Sequence, residues 1–228
     1  MAQDAYYYRD EVSNSDLGWL DKYLHPDAFV TDPHNAYRFG NLVDAIITEP
    51  EKLDYFKRTV SDYPDEPFTP EEWAQAEAMK RSFKADKMCM QLLNMSTFQK
   101  KFFDTVFLRW GSFQFSLRMR CKFDMFMDPL GWGSDIKSTT AKTQKEFIDA
   151  CYHFKYNRQR AVYMTLAKSD RDMLIGISKE EPYTVFKLPI QRGDEFFTSG
   201  MEEFTDLAFK YWCLFENTGL KYNTISQC

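Results

Sequence analysis

Two carboxylates and a lysine at short spacing carry the clearest chemistry in this chain. Asp124 closes the run Cys121-Lys122-Phe123-Asp124, and Asp135-Ile136-Lys137 follows eleven residues later. Between them lies a turn, Pro129-Leu130-Gly131-Trp132-Gly133, so the two stretches read as adjacent strands. Asp135 and Lys137 are two residues apart and share one face of their strand, with Ile136 pointing to the core. The two carboxylates and the Ile136 carbonyl are hard oxygen donors, suited to one or two Mg²⁺ or Mn²⁺ ions. A metal there would acidify a bound water and neutralise charge on a scissile phosphate. Lys137 can orient or deprotonate that water and steady the developing charge. Asp-x-Lys alone is a common tripeptide, so its setting has to carry the assignment.

The elements around it fit a sheet with helices on its faces. Ser112 to Asp124 alternates strictly: Phe113, Phe115, Leu117, Met119, Cys121 and Phe123 share one face, and Gln114, Ser116, Arg118, Arg120, Lys122 and Asp124 share the other. Phe102 to Phe107 reads as the strand before it, turned by Trp110-Gly111-Ser112, and Ser134 to Ser138 as the strand after it. Met173–Ser178 and Thr184–Leu188 form a hairpin around Pro182. Helices are expected over Ser15–Tyr23 with Ser15 as its cap, over the apolar run Leu42–Ile47, from Thr69-Pro70-Glu71-Glu72 to about Met90, and over Gln91–Lys100. A long helix is expected over Thr143–Leu166 and a last one over Asp194–Thr218. The fold class is α/β (α+β), a central mixed sheet flanked by helices. One domain spans 1–228, with a helical insertion at 51–98, a catalytic sheet and helix at 99–190 and a C-terminal helix at 194–218.

Composition narrows the class. Hydrophobic residues make up 44% of the 228, with 21 Phe and 13 Tyr, enough for a sizeable core. No apolar run approaches the ~20 residues of a membrane span, and Met1–Asp10 lacks a signal-peptide core. Five scattered cysteines without Cys-x-x-Cys spacing read as reduced thiols of a cytosolic protein. The net charge of −5 hides an asymmetry: residues 99–160 hold 12 Lys/Arg against 6 Asp/Glu, and the remainder 17 against 28. A basic segment centred on the candidate site fits a polyanionic substrate. His25, His34 and His153 have no metal-ligand spacing, and Glu49 reads as a helix-end residue.

Four blocks in order resemble one known family. Gly40-Asn41-Leu42-Val43-Asp44 with Glu49-Pro50 is similar to a Gly-x-x-x-His helix ending in Glu-Pro. Lys122-Phe123-Asp124 matches the first catalytic Asp, and Asp135-Ile136-Lys137-Ser138-Thr139-Thr140 matches Asp-x-Lys-Thr-Thr with Ser138 inserted. Tyr156-x-x-Gln159-x-x-x-Tyr163 matches the helix that follows. The chain thus resembles the PD-(D/E)XK nuclease superfamily, and within it the RecE-like (exodeoxyribonuclease VIII-type) phage and prophage exonucleases and their RecB-like relatives.

The resemblance implies a Mg²⁺- or Mn²⁺-dependent exodeoxyribonuclease acting 5′ to 3′ on duplex DNA ends, cytoplasmic in a bacterial host. It also implies a single-strand annealing protein as partner and a ring-like homo-oligomer. It assigns catalysis to Asp124, Asp135, Lys137, Gln159 and Tyr163, and metal binding to Asp44, Asp124, Asp135 and the Ile136 carbonyl. Asp44 stands where RecB-like members carry a histidine, and Asp is a suitable ligand for the same hard cation. Gln159 would contact the phosphate backbone with Tyr163 buttressing it, while Tyr156 reads as an amphipathic core residue. Two other readings stay open: a repurposed member that binds DNA or protein without cleaving, and an endonuclease or single-strand-specific enzyme.

Overall fold

A computed structural model describes residue 6 and residues 9–26, 34–50 and 68–217. The elements in chain order are α1 (Asn14–Leu24), α2 (His34–Thr48), α3 (Pro70–Ala85), α4 (Lys87–Met95), β1 (Thr97–Trp110), β2 (Phe113–Met127), β3 (Trp132–Thr139), α5 (Gln144–His153), α6 (Tyr156–Ala167), β4 (Arg171–Ser178), β5 (Val185–Gln191) and α7 (Glu195–Tyr211). Residues 51–67 of the expected insertion, and the side chain of His34, lie outside what is described.

The five strands form one mixed sheet in the order β1-β2-β3-β4-β5. Only the β3–β4 pair is parallel, and α5 and α6 supply the crossover that a parallel pair needs. Helices cover both faces, as the α/β reading expects. On one face, Leu17 and Leu20 of α1, Val162 and Leu166 of α6 and Phe204 and Leu207 of α7 pack against Leu117, Met119 and Phe123 of β2. On the other, Leu42, Val43 and Ile46 of α2, Met79 and Phe83 of α3 and Leu92 of α4 pack against Ile136 of β3 and Ile175 and Ile177 of β4. Among the described residues no helix is long and apolar enough to cross a membrane.

Several boundaries differ from the sequence reading, each for a local reason. The cap of α1 is Ser13 rather than Ser15, in a capping box with Asp16. Thr69 caps α3 with Glu72 as expected, but that helix stops at Asp86, whose carboxylate accepts the Met88 and Cys89 N–H groups and starts α4. The helix expected over Gln91–Lys100 ends at Met95, and from Thr97 the chain is already strand β1. The long helix over Thr143–Leu166 is two, broken where Lys155 adopts φ +59. Beyond Tyr211 the last helix continues only as a π-turn over Trp212–Glu216.

The α6–α7 contact sets the position of α6. A Cβ at Gly200 of α7 would lie 2.2 Å from the Asn157 carbonyl oxygen of α6. Neither backbone can yield locally, so Gly200→Ala must push the helices apart. The expected cost is about 1–3 kcal/mol, read as a lower midpoint in chemical denaturation. An unchanged midpoint would mean that the two helices are free to slide.

Candidate active site

The site begins where two strands part. Pairing between β2 and β3 covers only Met125–Met127 against Trp132–Ser134. The next rung would set Asp124 opposite Asp135, and there the ladder stops. β3 stays with β4 along all eight residues of both strands, while β2 leaves with β1. The free edge of β2 is taken by the N-terminal segment: the Val12 N–H donates to the Arg118 carbonyl, and the Arg120 N–H to the Val12 carbonyl. The mouth of this fork holds both carboxylates singled out from the sequence. Asp124 Oδ2 accepts the Ile136 N–H at 2.9 Å. An extended residue directs its N–H and C=O to the same side, so the Ile136 carbonyl also faces the fork.

Asp135 is 2% exposed. It is ion-paired through Oδ2 with Lys137, which confirms that the two share a strand face, and through Oδ1 with Arg160 Nη1 at 2.8 Å. Lys137 Nζ also sits 4.8 Å from the centroid of the Tyr156 ring, so Tyr156 carries the lysine besides packing against the core. Burial works to raise the Asp135 carboxyl, and Lys137 with Arg160 overcomes it and holds the group below its ordinary value. Asp124 has no ion-pair partner among the described residues: burial and the facing Asp135 and Asp44 push it well above its ordinary value, against Lys137 and the Ile136 N–H.

Asp44 reaches the same region from α2 on the opposite face of the sheet. Burial, with Asp135 and Glu49 adding to it, pushes its carboxyl up to about 6 against a hydrogen bond from Thr48. Thr48 Oγ1 donates to Asp44 Oδ1 at 3.0 Å and Gln99 Nε2 to Asp44 Oδ2 at 3.2 Å. α2 is seated against β3 at Gly40, whose side-chain position would lie 3.7 Å from Ser138 Oγ.

From α6, Gln159 brings a buried Oε1 that has no hydrogen-bond partner among the described residues. Tyr163 packs edge-on to Phe123, with ring centroids 5.1 Å apart, and lies beneath Arg160, whose Cζ is 4.3 Å from the Tyr163 centroid. Tyr163 therefore braces Arg160.

Arg160, Asp172 and Gln99 are parts of this site that the sequence reading passed over. Arg160 is fully buried between Phe123 and Tyr163, and its Nε lies 3.4 Å from Asp172 Oδ2 on β4. A signal existed at Asp172: a carboxylate leading into Met173-Leu174-Ile175 requires a buried partner.

The donor chemistry fits a hard divalent cation. Asp44, Asp124, Asp135 and the Ile136 carbonyl are all oxygens, and the second oxygen of Asp124 makes no hydrogen bond among the described residues. As they stand, no three acidic, histidine or cysteine side chains among the described residues form a closed metal cluster. Both oxygens of Asp135 are engaged by cations and both of Asp44 by neutral donors.

Residues 23–218 match the family described as a PDDEXK-like domain of unknown function (DUF3799). The chain belongs to that family. One solved structure shares the overall fold. A Eubacterium rectale protein provisionally named an exonuclease superposes with a TM-score of 0.65 at 17% identity, over 92% of this chain and 84% of that one. A phage-related exonuclease from Haemophilus somnus 129PT gives 0.40 at 14% identity, over 74% and 80%. An alkaline exonuclease from Laribacter hongkongensis gives 0.40 at 11%, over 95% of both chains. No curated protein sequence matches the chain. Of the cysteines expected to be reduced, Cys89, Cys121, Cys151 and Cys213 are free thiols.

Proposed function

We propose that this protein is a metal-dependent deoxyribonuclease, working as one nuclease unit that hydrolyses phosphodiester bonds at duplex DNA ends. The observation that carries the reading is the fork: Asp124 and Asp135 face each other at the first unpaired rung, with Lys137 beside them and Asp44 behind. A Mg²⁺ or Mn²⁺ ion bound to Asp124, Asp135, Asp44 and the Ile136 carbonyl would supply an acidified water and charge neutralisation on the phosphate. The residues of the chain do the rest. Lys137, charged through its pair with Asp135, orients the attacking water and steadies the pentavalent phosphate. Tyr156 fixes Lys137 from below. Gln159 offers its carboxamide to the backbone of the bound strand. In hydrolysis the water oxygen bonds to phosphorus as the P–O bond to the leaving sugar oxygen breaks; the water gives up one proton to solvent and the leaving oxygen takes one from it.

Exonuclease action from 5′ to 3′ is the mode we favour, from the four-block RecE-like pattern and from the naming of the Eubacterium rectale relative. A ring-like homo-oligomer and a single-strand annealing partner belong to the same proposal, in a cytoplasmic, phage-type recombination setting. The test is digestion of end-labelled linear duplex and of closed circular DNA with Mg²⁺ or Mn²⁺. Release of mononucleotides from 5′ ends, with circles untouched, is the expected result. Cutting of circles would establish an endonuclease instead, and inert DNA of every form would overturn the assignment.

A second reading draws on one observation, the engagement of both Asp135 oxygens by Lys137 and Arg160. If those pairs persist, the chain is a non-cleaving module that binds DNA or protein. Titration calorimetry with Mn²⁺ separates the two readings, since the module would take up no metal with Asp124 and Asp135 intact.

A further inference from the structure

The same fork contains a backbone irregularity that the roles above leave unexplained. In the β1–β2 hairpin, Phe98 pairs with Met125 and Lys100 with Phe123, and the rung between them, Gln99 against Asp124, is unpaired. Gln99 sits at φ +51, the left-handed region that side chains with a Cβ rarely adopt, in the interior of a strand. The faces of the sheet exchange at this rung. Phe123 points into the core beneath α6 and α7, whereas Met125, two residues on, points into the core beneath α2. Regular alternation would have kept both on one face. The exchange brings Asp124 to the mouth of the fork.

The Gln99 side chain uses this twist. Its Nε2 lies 3.2 Å from Asp44 Oδ2 and 3.5 Å from Thr48 Oγ1, while Thr48 Oγ1 donates to Asp44 Oδ1. Both oxygens of Asp44 are therefore gripped by neutral donors. A lysine or arginine there would cancel the carboxylate's charge, as Lys137 and Arg160 do at Asp135. A carboxamide and a hydroxyl fix the direction of the carboxylate and leave its charge for a cation. Strained residues of this kind persist where the surrounding fold over-determines them, which is common at functional sites.

We propose that Gln99 is a positioning residue that holds Asp44 as a charged metal ligand, a role resting on the nuclease reading above. Gln99→Gly tests it cleanly, because glycine adopts φ +51 without strain and so keeps the backbone while deleting the carboxamide. Mn²⁺ binding measured by titration calorimetry on the full chain is expected to weaken about 10–100-fold, the usual effect of losing a group that orients a ligand. The melting temperature of the metal-free variant should stay level or rise. Gln99→Ala should lose the same affinity and melt lower, since it retains the strain. If the wild type cleaves DNA and Gln99→Gly binds Mn²⁺ as tightly, the role of Gln99 is overturned and the nuclease reading stands. If the wild type neither binds Mn²⁺ nor cleaves DNA, both are overturned.

Discussion

Asp124→Asn and Asp135→Asn should both abolish DNA cleavage, yet shift the stability of the metal-free protein in opposite directions. Each variant removes a charged oxygen donor from the proposed metal site. Such a centre supplies several kcal/mol of transition-state stabilisation, so a loss of about a thousandfold or more is expected. The fold feels the two changes differently. Asp124 is half-buried facing Asp135 and Asp44, without an ion pair among the described residues. An amide in its place can still accept the Ile136 N–H through its carbonyl oxygen, and it relieves like-charge repulsion on the order of 1 kcal/mol. Asp135 is the shared anion of Lys137 and Arg160. Neutralising it leaves the half-buried Lys137 without its carboxylate and the buried Arg160 with Asp172 alone, at a cost of about 3–5 kcal/mol. Melting curves without metal should therefore rank Asp124→Asn at or above wild type and Asp135→Asn well below it. With Mn²⁺ added, only the wild type should gain stability, because only it keeps the full donor set. Two variants that melt alike, or an Asp124→Asn protein that still cuts duplex ends, would show that Asp124 and Asp135 do not divide these roles.

How much of this was readable in the sequence depends on the range of the interaction. The period of two on β3 placed Asp135 and Lys137 on one face, and their ion pair bears that out. The mixed sheet with helices on both faces followed from strand runs separated by amphipathic helices. The alternation of β2 held from Phe115 to Phe123, but it gave no warning of the exchange of faces at Asp124. That exchange depends on Gln99, and neither glycine nor asparagine marks the left-handed residue. The break between α5 and α6 was hidden for the same reason, since Lys155 at φ +59 carries no turn signal. Asp86 was the opposite case: an Asp ahead of an amphipathic run is a legible cap, and the helix reading simply ran past it. Arg160 was obscured by its neighbour. On a helix, adjacent residues face different ways, so placing Gln159 at the site gives no reason to place Arg160 there as well. In the structure α6 is packed between the sheet and α7, and there Arg160 points inward to two carboxylates.

Arg160 is expected to be the most costly side chain in the site to lose without touching a proposed metal ligand. It is fully buried, with Asp135 Oδ1 at 2.8 Å and Asp172 Oδ2 at 3.4 Å from its guanidinium, and both Phe123 and Tyr163 lie against its plane. Arg160→Met fills similar volume but leaves two buried carboxylates facing each other across the gap. A loss of about 3–5 kcal/mol in denaturant unfolding is expected. Its two partners are unequal. Burial pushes Asp172 up to about 7 against the pull of Arg160, whereas Asp135 is held below its ordinary value. Asp135 is thus the permanent anion, and Asp172 is ionised only toward the alkaline side. The sign of the pH dependence follows. An acid whose folded pKa is raised binds a proton in the folded state that the unfolded chain has released. Stability from this group therefore falls as pH rises from about 4 to about 7 and is level above that. Asp172→Asn lacks this slope, so the stability of wild type minus that of Asp172→Asn should fall across the same window. The groups facing Asp172 are Arg160, Asp135 and Lys137, so the slope must change in the Arg160→Met background, where the guanidinium no longer opposes protonation. A double-mutant cycle of Arg160→Met with Asp172→Asn should give a coupling of about 0.5–3 kcal/mol. Additive effects and a flat difference curve would mean that Arg160 serves Asp135 alone.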